Sequence, residues 1–243
     1  MTAVVSPPDP RLIGRWRRTL LVGPDGRCDV TSTVFWLQAG SLFVDLRLPR
    51  AAQPAPVEGF AGRLRADGRY TCWDRLIDLH PDSPPDEGLL ELTGTGLLET
   101  GRHVRYAEHW HRDDDPADAP LPCAAVELRE VTTGAPATLV RVGDDVGWAC
   151  ALPGFATEVA LGIRTDDGVL LSASNLPVRA GKRLDLGTDR GSVLTVDRAP
   201  DGTAVRHQWQ VVALEGRFED LPVHGAPLSH PFPSTDPEET RCA

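Results

Sequence analysis

Residues 34–47, with the sequence VFWLQAGSLFVDLR, decide the fold class because two alternating runs flank Ala39-Gly40. Successive side chains of a strand point to opposite faces, so each run predicts a strand, and the central glycine predicts a tight hairpin turn. On the second run, Phe43, Asp45 and Arg47 share one face of the strand. This polar face is predicted to be either exposed to solvent or the wall of a binding site.

Runs of the same kind recur along the chain between Gly, Pro, Asp and Asn, while helical periodicity is scarce. In the first half they predict strands at 12–22, 28–38, 41–48, 59–64, 70–79, 88–93, 96–99 and 104–112. In the second half they predict strands at 124–131, 137–142, 147–151, 157–164, 169–174, 183–186, 192–196 and 204–214. Eight antiparallel strands can close a small barrel. The sequence therefore predicts an all-β protein with two antiparallel β-barrel lobes in tandem and few helices.

An acidic segment with several prolines, residues 113–122, separates the two halves and is typical of an exposed connector. The last stretch is also rich in proline and lacks apolar periodicity. We therefore expect a flexible N-terminus at 1–10, a barrel at 11–115, a linker at 116–122, a second lobe at 123–222 and a Pro-rich tail at 223–243.

The composition restricts the partners and the compartment. The chain has 243 residues, with 25 Lys+Arg against 35 Asp+Glu, and its net charge of −10 disfavours nucleic acid and anionic membranes as partners. Five scattered cysteines without a C-x-x-C pair, and no apolar run long enough to span a membrane, predict a reduced cytoplasmic protein. We expect a small-molecule ligand, and a homodimer is also compatible with the sequence.

Common catalytic signatures are missing from the sequence. It contains no Walker A loop, no G-x-S-x-G elbow and no H-E-x-x-H helix, which excludes the commonest recognisable hydrolase and nucleotide-dependent classes. We therefore expect no cofactor.

Gly14-Arg15-Trp16, in the first predicted strand, resembles the G-x-W entry motif of lipocalin-like, or calycin, barrels. The resemblance implies that Trp16 packs across the closed end of a barrel, often beneath an arginine from a late strand. A core tryptophan of any β protein is the competing interpretation.

Three segments, VFWLQ (34–38), LFVDLR (42–47) and EHWHR (108–112), are similar to bacterial relatives of a family of two-lobed lipocalin-like proteins. In fungi this family is known as a partner of a casein-kinase-type kinase. The resemblance implies two lipocalin-like barrels and no particular reaction, and the kinase partner does not carry over to this chain.

The candidate binding residues combine aromatic and polar side chains, and the sequence leaves open which face of each strand points into the barrel. In this hypothesis the tryptophans supply apolar contact area, Gln38 directs a hydrogen bond, Arg47 and Arg75 hold an oxygen anion, and Glu108 accepts a proton or hydrogen bond. The full set is Trp36, Gln38, Asp45, Arg47, Arg75, Tyr106, Glu108 and Trp110. The alternative interpretation is that the tryptophans, including Trp73, are simply core.

Two other functions are compatible with the sequence. An isomerase, cyclase or lyase without a cofactor would use Glu108 as its catalytic base and Arg47 to stabilise an oxyanion. A protein-interaction module would recruit a partner through the acidic linker and the Pro-rich tail.

His109 and His111 lie two residues apart on a predicted strand, as metal ligands of cupin-like barrels do. A metal needs a third ligand, and the glutamate that follows the second histidine in the cupin pattern is replaced by Arg112-Asp113-Asp114. We therefore expect solvated histidines and no metal site.

Overall fold

The computed structural model describes residues 7–49, 56–113, 121–189, 192–198 and 203–224. Most of the expected linker and tail, and the first six residues of the expected N-terminal segment, lie outside these ranges. No helix in the described part of the chain has the length and apolar character needed to cross a membrane.

The first half of the chain forms a closed antiparallel barrel. Its strands are β1 (Gly14–Val22), β2 (Cys28–Asp29), β3 (Thr33–Ala39), β4 (Leu42–Leu48), β5 (Glu58–Asp67), β6 (Tyr70–Asp78), β7 (Asp86–Thr93), β8 (Gly96–Gly101) and β9 (Ala107–Arg112). Strands β3 to β9 pair in chain order, and β1 pairs with β3 on one side and β9 on the other. These eight strands close the barrel, and β2 extends the sheet along the end of β1.

The second half forms a nearly closed barrel. Its strands are β10 (Cys123–Glu130), β11 (Pro136–Val142), β12 (Asp145–Cys150), β13 (Glu158–Thr165), β14 (Gly168–Ser174), β15 (Arg183–Leu184), β16 (Leu186–Asp189), β17 (Ser192–Arg198) and β18 (Ala204–Glu215). The edge strands β15 and β16 follow each other in the chain but do not pair. Three 3-10 turns, Pro10–Leu12, Pro177–Arg179 and Phe218–Asp220, are the helical elements of the described residues. The predicted all-β fold with two barrels in tandem is confirmed.

Two predicted strands are divided in the structure. The strand expected at 28–38 is interrupted because Asp29 Oδ1 accepts hydrogen bonds from the backbone N–H groups of Thr31 (2.8 Å) and Ser32 (3.1 Å), which turns the chain. The strand expected at 183–186 is divided at Asp185 because its first part pairs with β14 and the rest with β17.

Four tryptophans fill the closed end of the first barrel. The ring of Trp36 lies 6.0 Å from Trp16, 6.0 Å from Trp73 and 5.8 Å from Trp110, between ring centroids. Arg112, from the last strand of this barrel, places its guanidinium 5.2 Å from the Trp16 ring. This is the arrangement that the G-x-W resemblance implies.

The two barrels share an apolar interface. Leu42, Val44 and Leu46 of β4 point out of the first barrel and belong to a buried cluster with Val140 and Val159 of the second barrel. The barrels also exchange ion pairs, such as that between Arg15 and Asp145 (2.7 Å). Both faces of β4 are therefore covered, one inside the first barrel and one by the second barrel.

Candidate functional site

The inward face of β4 carries a buried ion pair. Asp45 is 2% exposed, and its Oδ1 accepts a hydrogen bond from Nε of Arg47 at 2.9 Å. Because β4 alternates, Phe43 lies on the same inward face, deeper in the barrel core. Of the two interpretations of this polar face, the structure supports a wall inside the barrel rather than a solvent-exposed surface.

Glu108, on the inward face of β9, joins this ion pair and leaves one oxygen unused. Its Oε1 lies 2.6 Å from Nη1 of Arg18 and 3.5 Å from Nη1 of Arg47. Its Oε2 is buried and has no hydrogen-bond partner. A buried carboxylate oxygen without a partner is costly, so a ligand that donates a hydrogen bond there would be stabilised.

Arg75, on β6, is held by two carboxylates. Its Nη1 lies 2.9 Å from Asp78 and its Nη2 lies 2.6 Å from Asp86, and its guanidinium stacks 3.7 Å from the centre of the Phe60 ring. Its Nε is buried and donates no hydrogen bond. The two outer nitrogens of Arg75 are thus already used by the protein.

The end of the first barrel where Arg47, Arg75 and Glu108 lie is its mouth. A third group of side chains connects this mouth to the closed end that the tryptophans fill. The Tyr106 hydroxyl lies 2.6 Å from Glu99 Oε1 and 3.2 Å from Asp86 Oδ1. The indole N–H of Trp110 donates to Glu99 Oε2 at 3.2 Å. Glu99 lies directly opposite Glu108 in the β8–β9 register, so two acids face each other inside the barrel.

Burial raises the pKa of three of these groups. Desolvation raises the pKa of Asp45 to about 6, although Arg47 opposes the shift. Desolvation, together with the charges of Glu108 and Asp86, raises the pKa of Glu99 well above its usual range. Burial and the neighbouring Glu99 also raise the pKa of Tyr106, so the phenol stays protonated.

A cavity of about 300 Å³ opens at this mouth. Leu21, Pro24 and Val104 line its apolar side, and Arg47 and Glu108 are among the groups on its polar side. A smaller recess of about 160 Å³ shares several of the same lining residues. The mouth therefore combines apolar surface with buried charged groups in one small space.

The structure divides the predicted site residues into two groups. Asp45, Arg47, Arg75, Tyr106 and Glu108 lie together around the mouth.

Trp36, Gln38 and Trp110 lie in the packed closed end, away from this mouth. Gln38 Oε1 accepts from the Trp36 indole N–H at 2.9 Å, and Gln38 Nε2 donates to the Gly40 carbonyl at 2.7 Å. These three side chains do not line the cavity at the mouth, although the sequence-based hypothesis placed them in one cavity with Arg75 and Glu108. Their role in ligand binding stays a prediction.

No family model matches the chain, and no curated protein matches it. Among solved structures, the chain is similar to the crystal structure of the uncharacterized protein YLR301w from Saccharomyces cerevisiae. The TM-score is 0.57 at 11% sequence identity, and the match covers 83% of this chain and 98% of the yeast chain. At this identity the similarity shows the fold alone, a pair of all-β barrels compatible with a calycin-like architecture.

Sequence analysis missed several members of the charged cluster. Arg18, Asp29, Asp86 and Glu99 all contact the groups described above, and Phe60 supports two guanidiniums. Arg18 follows Trp16 at a spacing of two, so strand alternation could have placed it inside the barrel. Asp86 begins β7 after a loop, and no local pattern marks its inward position.

His109 and His111 are exposed on the outer face of β9. Within the described residues, no group of three or more His, Cys, Asp or Glu side chains is arranged to hold a metal ion.

A wider depression of about 830 Å³ lies along β5, β6 and the chain before β7, and it shares Arg75 and Asp86 with the mouth. Its charged groups are paired with one another, for example Arg65 with Asp74 (2.6 Å) and Arg63 with Glu127 (2.9 Å). The mouth is the stronger candidate because it holds the buried, unpartnered oxygen of Glu108.

Proposed function

We propose that this protein binds a small, partly apolar molecule that carries a hydroxyl group at the mouth of its first barrel. The observation that carries the proposal is the buried Oε2 atom of Glu108, which accepts no hydrogen bond although it belongs to a group that lines the cavity. A ligand hydroxyl would satisfy this oxygen. Leu21, Pro24 and Val104 would cover the apolar part of the ligand.

The charge balance of the mouth supports a hydrogen-bond donor rather than an anion as the ligand group. Three guanidiniums face six carboxyl groups there. The guanidiniums belong to Arg18, Arg47 and Arg75, and the carboxyl groups to Asp29, Asp45, Asp78, Asp86, Glu99 and Glu108. The proposal departs here from the sequence-based expectation that Arg47 and Arg75 hold an oxygen anion, because carboxyl groups of the protein already pair with both arginines.

Proton-transfer chemistry is less well supported by the same geometry. The catalytic hypothesis needs Arg47 to stabilise an oxyanion while Glu108 takes a proton. In the structure Arg47 is paired with Asp45 and lies 3.5 Å from Glu108 itself. Binding is favoured because the group expected to hold an oxyanion is engaged with two carboxyl groups.

This proposal includes membership of the two-lobed lipocalin-like family and an intracellular location. The two-barrel fold and the similarity to a yeast chain over almost its whole length support the first part. Free thiols at Cys28, Cys72 and Cys150 are compatible with the second. No kinase partner is part of the proposal.

A matched pair of ligands tests the role of Glu108. 4-Propylphenol and its methyl ether, 4-propylanisole, are nearly equal in size and differ in one hydrogen-bond donor. Isothermal titration calorimetry should show that the phenol binds at least about tenfold more tightly than the ether, because only the phenol satisfies Glu108 Oε2.

The variant Glu108→Gln should remove most of this preference, whereas Glu91→Gln, a control at an exposed glutamate of β7, should keep it. Equal binding of the two ligands to the natural protein would contradict the proposal, whether or not the Glu108 variant folds.

A further inference from the structure

The second barrel contains a larger cavity than the mouth of the first. It has a volume of about 730 Å³, within the usual range for small-molecule sites. Its lining comes from the loop after β12, the 3-10 turn between β14 and β15, and strands β17 and β18. The apolar lining residues are Leu152, Phe155, Ala156, Leu176, Val178 and Val196.

Six charged residues also line the cavity, and one of them, Arg179, lies between two carboxylates. Arg179 places Nε 2.8 Å from Oε1 of Glu158 and Nη2 3.6 Å from Oδ1 of Asp197. The lining holds three basic groups, Arg179, Lys182 and Arg183, and three acidic groups, Glu158, Asp185 and Asp197. Its charges balance, so it has no excess positive charge to attract an anionic ligand.

A hydrogen-bond donor remains unused at this position. Nη2 of Arg179 is buried and donates no hydrogen bond, because its distance to Asp197 is too long for one. The missing partner is an acceptor. A neutral oxygen fits better than an anion, since Glu158 and Asp197 stand beside the guanidinium.

The rim of the cavity has an apolar residue in contact with water. Val178, the central residue of the Pro177–Arg179 turn, is 78% exposed although it lines the cavity. An apolar molecule in the cavity would cover part of this side chain and so gain hydrophobic contact area.

We propose that the second barrel is a separate binding site for a neutral, largely apolar small molecule with one acceptor oxygen, such as a ketone, ester or amide. The ligand's oxygen accepts a hydrogen bond from Nη2 of Arg179, and the apolar body of the ligand lies against Phe155, Leu176 and Val178. This site goes beyond the function proposed for the first barrel, because it lies in the other barrel and takes a ligand of different chemistry.

Two neutral fluorescent probes test the site in the full chain. Prodan is an aromatic ketone, and N-phenyl-1-naphthylamine is an apolar amine of similar size without an acceptor oxygen. Fluorescence titration should show one Prodan bound per chain, at least about tenfold more tightly than the amine. Absence of saturable Prodan binding would overturn the proposal, and equal affinity for the two probes would overturn the role of Arg179.

Three identical substitutions at exposed valines locate the probe. Val178→Asp places a charge at the rim and should weaken Prodan binding at least about tenfold, because the carboxylate is desolvated beside the probe. Val212→Asp, on β18 and outside the lining, should leave the affinity unchanged. Val104→Asp changes the mouth of the first barrel.

A loss of Prodan binding in Val104→Asp, with none in Val178→Asp, would place the probe in the first barrel and overturn this inference. Ala156→Trp provides a second check, because it fills the cavity from an exposed position. Retained Prodan affinity in Ala156→Trp would likewise count against the site. None of these results depends on whether 4-propylphenol binds at Glu108.

Discussion

Asp45 makes the stability of the first barrel depend on pH. Its pKa in the folded protein is about 6, compared with an ordinary value of 3.8. Between these values the folded state binds more protons than the unfolded state, so the free energy of unfolding decreases as the pH rises through about 6. The contribution of Asp45 is fully present at low pH and is lost above pH 6.

Asp45→Asn should reduce this loss of stability. Urea unfolding between pH 4 and pH 7.5 should show a decrease in the natural protein that exceeds the decrease in the variant by up to about 3 kcal/mol. Glu99 also has a raised pKa, but it is present in both proteins, and the difference between them reports Asp45. Asp82→Asn, at an exposed aspartate, should resemble the natural protein. Parallel curves for Asp45→Asn and the natural protein would refute the assignment.

At the scale of the element, Arg112 fastens the start of the first barrel to its last strand. Its Nη1 donates to the carbonyl of Arg11 at 2.9 Å, its Nη2 donates to the carbonyl of Ile13, and its guanidinium covers Trp16. A planar group with several donors can make these three contacts at once, whereas the ammonium group of lysine cannot.

Arg112→Lys should therefore lower the free energy of unfolding by about 1–3 kcal/mol, because a hydrogen bond and the contact with the indole ring are lost. The control is Arg17→Lys on the neighbouring strand, where the arginine is partly exposed and pairs with Asp113 at 3.2 Å. Chemical denaturation checks both variants. An equal loss in both would mean that the planar group of Arg112 has no special role.

Strand positions were predictable because alternation and turn residues are local features. The hairpin at Ala39-Gly40 is an example, since β3 ends at Ala39 and β4 begins at Leu42. The inward direction of a face was harder to predict. On β4 the apolar face would ordinarily be assigned to the barrel interior, but Val44 instead packs against the second barrel and Asp45 points inward.

The candidate site was predictable only in part, and the difference again follows from locality. Glu108 and Tyr106 share a face of one run, so their common location follows from alternation. The contact of Arg75 with Asp86 depends on a loop and on barrel closure, which no local pattern contains. The packing of Trp36 likewise depends on three distant strands.

At the scale of the whole molecule, close packing joins the two barrels. A Cβ atom added at Gly147 would lie 2.8 Å from Cβ of Val44 in the other barrel, too close for ordinary contact. Gly147→Ala should therefore destabilise the protein by about 1–3 kcal/mol, because the interface must move apart.

Val44→Ala should remove part of this clash. In a double-mutant cycle, the two changes together should cost less than the sum of their separate costs, because Val44→Ala removes the two Cγ atoms that would lie 3.1 Å and 3.2 Å from the new methyl group. Gly23→Ala, in the turn after β1 of the first barrel, serves as the control and should show additivity with Val44→Ala. Strict additivity of Gly147→Ala and Val44→Ala would show that the interface does not constrain the barrels.

The shared apolar interface has a consequence for the newly synthesised chain. The first barrel emerges from the ribosome while Val140 and Val159, which cover Leu42, Val44 and Leu46, have yet to be made. At ordinary rates of translation, making the second barrel takes roughly 5 to 20 seconds. During that interval the apolar face of the nascent first barrel is exposed, so we expect chaperones at the ribosomal exit tunnel to bind it.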